Sequence, residues 1–188
     1  MSQNVGKKFE NNFKSSIPDD VMYHRLHDAP QSWSQDKGTR FSWQNPCDAF
    51  LFDKGTLLAL ELKTTKDKFY TFEKEKGTNK TAKIHYHQIE GLREFAKYKG
   101  VVPGFVLNYR INEGTPNYNE LTYFIHINDF DRMINELNKK SFTMLDLLKY
   151  SPIKIESMKK RTNFKYGIGS FLDEIKNKYG EEQCTIGN

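Results

Sequence analysis

Cysteine is almost absent from this chain: Cys47 and Cys184 are the whole complement, too few and too far apart to suggest a disulfide framework. Long apolar runs are also missing, and none approaches the roughly 18 residues of a membrane span. The opening stretch MSQNVGKKFENNFKSS has no apolar segment and carries acids and amides, so it does not read as a secretion signal. No internal repeat and no domain linker stand out. These absences predict an intracellular, cytoplasmic protein without a membrane partner. They also predict a single domain over residues 1–188, a length that supports one real core and hardly two.

What is present is an ordinary globular composition with a polar lean, 37% hydrophobic and 28% charged. The formal net charge is +5. Such a balance suits a polyanionic partner, because Lys and Arg release counterions from phosphates, but it equally describes a merely basic protein. The distribution is more informative. Lysines crowd residues 63–83, and KYSPIKIESMKKRTNFKY near the carboxyl end interleaves basic residues with Tyr150, Phe164 and Tyr166. Basic residues among aromatics suit nucleic acid better than a membrane surface.

Val5, Phe9, Phe13 and Ile17 recur every four residues and predict an amphipathic helix ended by Pro18. VMYHRL (21–26) reads as a strand, and residues 28–45 as a polar loop or short stalk with Trp33 and Trp43. Two strands, 47–53 and 56–63, flank the turn signal DKG. A lysine-rich loop over 64–82 precedes a helix near 84–98, with Gly100 as its stop. VVPGFVLNYR is a strand whose Pro103-Gly104 suggests an edge or bulge, and LTYFIHI is another strand. Asn128 or Asp129 is expected to cap a helix carrying Phe130, Met133, Ile134 and Leu137. A short helix near 143–149, a basic strand near 160–166 and a helix near 169–178 close the chain. This order predicts the α/β class, with a mixed central sheet flanked by helices.

The hairpin poses the chemical question, because NPCDAFLFDKGTLLALELKTTKDK is mostly apolar yet carries Asp48, Glu61 and Lys63. Burying a charge is costly unless it is paired or binds a metal. If Lys54 and Gly55 form a two-residue turn, Asp48 lies opposite Glu61, with Cβ atoms about 5 Å apart; a three-residue turn slips the pairing by one and leaves them near neighbours. Strand alternation puts Glu61 and Lys63 on one face, with Ala49, Leu51, Leu58, Leu60 and Leu62 on the other as core. Two facing carboxylates repel, and a hard cation such as Mg²⁺ with its waters relieves that. The waters can be activated for attack on a phosphodiester, and the nearby ammonium can stabilise the charge that develops. A plain cross-strand ion pair at a sheet end is the alternative. Acid-x-Lys occurs only here and at Glu174-Ile-Lys176, which lies in a helical pattern with no upstream Asp in range.

NPCD and LELK resemble the signature of the PD-(D/E)xK nuclease superfamily. GKKFENNFKSSIPDD, YHRLHD, NPCDAFLF, LLALELKT, HYHQIEGL and YKGVVPGFVLNYR, in this order over roughly residues 5–110, resemble the RecU-type Holliday junction resolvases, especially their phage-borne branch. The resemblance implies a restriction-endonuclease-like core and a homodimeric endonuclease that nicks four-way DNA junctions. It would use Mg²⁺, with Mn²⁺ as a substitute. It implies Asp48, Glu61 and Gln88 as metal ligands, Lys63 as transition-state stabiliser and Glu10 as a further active-site acid. A recombinase is a further implied partner, in a bacterial cell and from a phage-borne gene. Two features depart from the pattern. Pro46 stands where cellular members often have a ligating Thr, and the segment from Tyr23 to Asp48 is shorter than their stalk.

Several residues carry two readings. Glu10 is either catalytic or a solvated helix acid, whereas Gln88, one turn before Leu92, should aim at the sheet. His85 with His87, and His24 with His27, lack the frame of a zinc site and read as phosphate contacts or surface residues. Arg40, Phe41, Trp33 and Trp43 either stack on splayed bases or pack the loop. Lys66, Lys68, Lys74, Lys76, Lys80 and Lys83 form either a phosphate track or a solvated loop. Lys66, Lys68, Lys80, Lys83 and Arg40 are the expected DNA contacts. A restriction-like or repair nuclease and a non-catalytic DNA-binding recombination accessory protein remain as rival functions.

Overall fold

The computed structural model describes residues 5–26 and 45–180. The expected loop or stalk, with Arg40, Phe41, Trp33 and Trp43, lies outside the described residues apart from Asn45, as do His27 and Cys184. Helix α1 (Val5–Lys14) buries Phe9 and Phe13 on one stripe, as the spacing predicts. Strand β1 (Met22–Arg25) then leads to the hairpin of β2 (Ala49–Asp53) and β3 (Thr56–Thr65). Its turn places both Lys54 (φ 47°) and Gly55 (φ 88°) in the left-handed region. That two-residue geometry matches the twist of the arms and sets the register Asp53↔Thr56 through Ala49↔Leu60.

The remaining elements are β4 (Phe69–Thr71), α2 (Tyr86–Phe95), β5 (Val101–Ile111), β6 (Asn119–His126) and α3 (Ile127–Glu136). After them come β7 (Ser141–Thr143), α4 (Met144–Leu148), β8 (Ile153–Ile155), β9 (Ser157–Lys160), β10 (Asn163–Tyr166) and α5 (Ile168–Tyr179). Among the described residues six strands form one mixed sheet in the order β1-β2-β3-β5-β6-β8, with only β3 and β5 parallel among its pairs. The α/β class with a mixed central sheet flanked by helices is therefore as predicted.

Both faces of the sheet are covered, which accounts for the nearly continuous apolar runs of β3 and β5. On one face Ala59, Phe105 and Leu107 pack under α2 and α3 with Phe130 and Ile89. On the other, Leu51, Leu58, Leu60, Val106 and Phe124 pack with Phe9 and Phe13 of α1 and Phe171 and Ile175 of α5. The hairpin thus contributes to two cores, where alternation alone suggested one.

Three local expectations are corrected. The lysine-rich stretch 64–82 is not all loop, because Phe69–Thr71 pairs with Ser141–Thr143. Helix α3 is capped by His126, whose Nδ1 accepts the Asn128 N–H at 3.2 Å. Pro103-Gly104 lies in an interior strand rather than at an edge. Leu57 N–H donates to Gly100 O, a phase that turns the N position of Pro103 away from β3. On that side the β6 ladder begins only at Gly104↔His126, so Pro103 forfeits no ladder bond.

Candidate active site

Strand β2 ends its pairing at Ala49↔Leu60, while β3 runs on to Thr65. Beyond Leu60, therefore, β2 no longer covers the edge of β3, and Asp48 occupies that edge. Its backbone N–H donates to Leu60 O at 3.0 Å, although Ala49 is the register partner of Leu60. Two residues of one arm thus share one of the other, the arrangement of a β-bulge, which re-aims a side chain. The re-aimed Asp48 Oδ2 accepts the Leu62 N–H at 2.7 Å, and Leu26 N–H donates to Asp48 O at 2.9 Å. A flat register would have left Asp48 squarely opposite Glu61. The bulge carries its carboxylate one residue further along β3, still close enough for its charge to raise the pKa of Glu61.

Glu61 is only 2% exposed. Its Oε1 is 3.0 Å from Lys63 Nζ and also accepts from Gln88 Nε2. Burial raises its pKa, Lys63 opposes, and the Asp48 charge adds to the rise, leaving it at about 7. Glu10 approaches from α1, on the other side of the sheet, and its Oε2 pairs with Arg25 Nη2 at 2.5 Å. Burial raises its pKa; Arg25 opposes, Asp48 raises it further and Lys63 lowers it, so Glu10 shares the field of the site.

Helix α2 brings Gln88 into place through contacts distant in sequence. Glu73 takes the Tyr86 N–H at 3.0 Å and the Asn79 N–H at 3.2 Å, and lies 3.2 Å from His85 Nδ1. The Tyr86 bond, ahead of the others, holds the Glu73 carboxyl below its ordinary range. A carboxylate at this helix start also complements the helix dipole. Lower down, a Cβ on Gly91 would stand 2.3 Å from Pro46 O, so only glycine admits the NPCD segment against α2. Arg93 then ties α2 to α3 by two 2.8 Å bonds to Asp131.

Asp48, Glu61, Lys63 and Gln88 are brought together, with Glu10 alongside. Gln88, however, presents Nε2 to Glu61, while its Oε1 accepts the His85 N–H at 2.9 Å and closes the first turn of α2. A half-turn of the amide would exchange the two atoms. Among the described residues no group of three or more His, Cys, Asp or Glu side chains converges as a metal cage. Two carboxylates and an amide still meet the needs of Mg²⁺, which keeps several waters and takes one or two carboxylates. Glu61, buried, and Asp48, half-buried, are neighbouring like charges and form a donor set that a dication relieves. The residues fit such an ion.

Of the expected DNA contacts, Lys66, Lys68 and Lys80 are exposed beyond the end of β3. Lys83 is engaged instead: its Nζ lies 2.5 Å from Thr65 Oγ1 and 2.5 Å from Asp67 Oδ2, above the Phe69 ring. His85 and His87 stack at 5.7 Å. Arg25, Glu73 and Gly91 escaped the reading of the sequence, because their partners are distant along the chain. The available signals were that Arg25 lies within YHRLHD and Gly91 within HYHQIEGL.

No protein-family model matches the chain. It is 30% identical over 187 residues, 93% of this chain and 88% of the relative, to the "SPbeta prophage-derived uncharacterized protein YotM" of Bacillus subtilis (strain 168). Among solved structures it is similar to Hjc, a Holliday junction resolvase from Archaeoglobus fulgidus. That likeness has 15% identity and a TM-score of 0.40, over 72% of this chain and 83% of that chain. Among the described residues no helix is long and apolar enough to cross a membrane.

Proposed function

This chain belongs to the family of the SPbeta prophage-derived protein YotM, and we propose that it is a Mg²⁺-dependent, structure-selective DNA endonuclease of the RecU type, resolving four-way junctions in phage recombination. The observation that carries this reading is the convergence of Asp48, Glu61, Lys63 and Gln88 at the edge of β3 left open by β2. Asp48 and Glu61 would hold the ion, joined by Gln88 through Oε1. When bound, Mg²⁺ polarises the scissile phosphate and lowers the pKa of a water for attack.

The chain's own residues do the rest. The bulge and the Leu62 N–H hold Asp48 in place before substrate arrives, so its orientation costs nothing at the moment of reaction. Lys63, 19% exposed and beside Glu61, reaches the solvent side of the site, where its ammonium can stabilise the negative charge that builds on phosphorus. Glu10 and Arg25 form a pair at the rim, with Arg25 offering a guanidinium suited to phosphate oxygens. Lys66, Lys68 and Lys80, exposed in the stretch that follows β3, would meet backbone phosphates. Paired nicks in two strands of like polarity need two sites, which a C₂ homodimer supplies.

The test is nicking of a labelled four-way junction against linear duplex of the same sequence, in Mg²⁺ and in EDTA. Paired, symmetric nicks in the junction, dependent on Mg²⁺, are expected. Equal cutting of linear duplex would favour a restriction-like or repair nuclease. Junction binding without cutting in either Mg²⁺ or Mn²⁺ would favour an accessory protein. Sedimentation should give about twice the 22.1 kDa chain mass.

A further inference from the structure

The β9–β10 hairpin stands apart from the main sheet as its own two-stranded ribbon. Its register is Lys160↔Asn163, Lys159↔Phe164, Met158↔Lys165 and Ser157↔Tyr166. Alternation therefore divides it into two faces. The inner face is fastened: Phe164 and Tyr166 are buried, Ser157 Oγ donates to Glu120 O at 2.7 Å, and Lys159 Nζ donates to Tyr118 O at 3.3 Å. The outer face carries Met158, Lys160, Asn163 and Lys165, all exposed, and no acid.

At the tip stands Arg161, exposed, with φ 49°. A left-handed backbone at a two-residue hairpin turn is a place for Gly or Asn, and an arginine held there carries strain. Lys160, Arg161 and Lys165 make no ion pair among the described residues.

The ribbon is also rigidly coupled to the active-site end of the sheet. Tyr166 packs on Phe9 (5.6 Å between ring centres) and its N–H donates to Ser16 Oγ at 2.9 Å, so the ribbon is seated on α1. Helix α1 carries Glu10, which lies in the field of Asp48 and Lys63. Tyr118, stacked edge-on against Phe164 at 5.3 Å, anchors it to the start of β6. A duplex engaged at Asp48 and Glu61 thus meets positive charge from two directions: the lysines after β3, and this ribbon beyond α1.

We propose that the β9–β10 ribbon is a second DNA-contacting element, which grips the backbone phosphates of a duplex arm through Lys160, Arg161 and Lys165. This rests on the nuclease reading of the site. Phosphate contacts of this type set register and affinity without reading sequence.

The test compares wild type with Lys160→Ala/Arg161→Ala/Lys165→Ala for binding to a labelled four-way junction in EDTA across a salt series, and for cleavage in Mg²⁺. The variant should bind more weakly, with a log–log salt slope shallower by about 3 because three cations no longer meet phosphates. Its turnover at saturating DNA should remain within about twofold of wild type. Arg161→Gly is the control for folding: glycine relieves the left-handed backbone, so this variant should melt higher than wild type while its slope drops by about 1. Unchanged slopes in both variants would overturn the ribbon proposal and leave the nuclease reading standing if wild type cuts. A wild-type protein that neither binds nor cuts DNA would remove both.

Discussion

Two glutamates are almost equally buried in the central sheet, Glu61 at 2% exposure and Glu120 at 5%, yet they are treated in opposite ways. Glu120 faces α1 and the ribbon, and its carboxylate is saturated with donors. Tyr118 gives one bond at 2.5 Å, Asn108 another at 3.1 Å and Tyr166 a third. Asn108 is satisfied in turn, giving to Thr122 at 2.9 Å and accepting from Thr64 at 2.7 Å. Glu61 faces α2 with one lysine, one amide and a second carboxylate. A closed polar network stiffens a core. A buried acid placed against a like charge, with its pKa driven up to about 7, is poised for chemistry instead. Burial alone does not mark a site; the identity of the partners does.

Removing each acid tests this contrast most severely. Asp48→Ala, Glu61→Ala and Lys63→Ala should each lower junction cleavage by about 10³-fold or more while binding persists. Glu61→Gln should fail equally, since an amide cannot replace the negative charge that Glu61 would bring to the ion. Full activity in a Glu61 variant would sink the site assignment. Glu120→Ala should do the reverse. It strands three donors, costs about 3 kcal/mol of stability and lowers Tm by roughly 6–12 °C, with little change in turnover by the folded enzyme.

Next in size is Gly91→Ala. The added methyl meets Pro46 O at 2.3 Å and must push the NPCD segment or α2 aside. A destabilisation of about 1–3 kcal/mol is expected, together with a fall in cleavage beyond what the lower stability explains. Wild-type activity would show that Asp48 does not depend on this close approach.

Titration tests the same contrast more gently. Glu61 holds its proton to about pH 7 when folded, against an ordinary value of 4.5. Between those values the folded state binds more protons than the unfolded chain, so stability of the metal-free protein falls as pH rises through the window and levels off above it. Tm in EDTA should therefore decline from about pH 5 to pH 7.5, and Glu61→Gln should flatten the decline. A wild-type profile no steeper than that of Glu61→Gln would count against the raised pKa.

The smallest effect belongs to the lysines after β3. Replacing Lys66, Lys68 and Lys80 by Ala should make the salt slope of DNA binding shallower by about one unit for each phosphate left without its lysine. Lys83→Ala should act differently, loosening the Thr65–Asp67 end of the strand that its ammonium holds. Equal slopes for wild type and the triple variant would return that loop to plain solvation.

Much of the fold and the centre of the site could be read from local signals. The DKG turn sets the hairpin register because a two-residue loop with both residues left-handed admits one pairing of its arms. Alternation then places Glu61 and Lys63 on one face, and the four-residue recurrence of Phe9 and Phe13 marks the buried stripe of α1. These features depend on neighbours a few residues apart, whose geometry backbone sterics dictate. Other features took shape only when distant segments met. The bulge that carries Asp48 to Leu62, the Glu73 carboxylate at the start of α2, and the pairing of β4 with β7 are of this kind. So are the Arg25–Glu10 pair and the donors gathered around Glu120. Chain order does not encode which donors a buried carboxylate will find. Local chemistry dictated that two acids and a lysine would share one hairpin. Long-range packing left Glu61 crowded by a like charge and Glu120 satisfied, because a buried carboxyl is settled by whichever partners the fold brings within hydrogen-bonding distance.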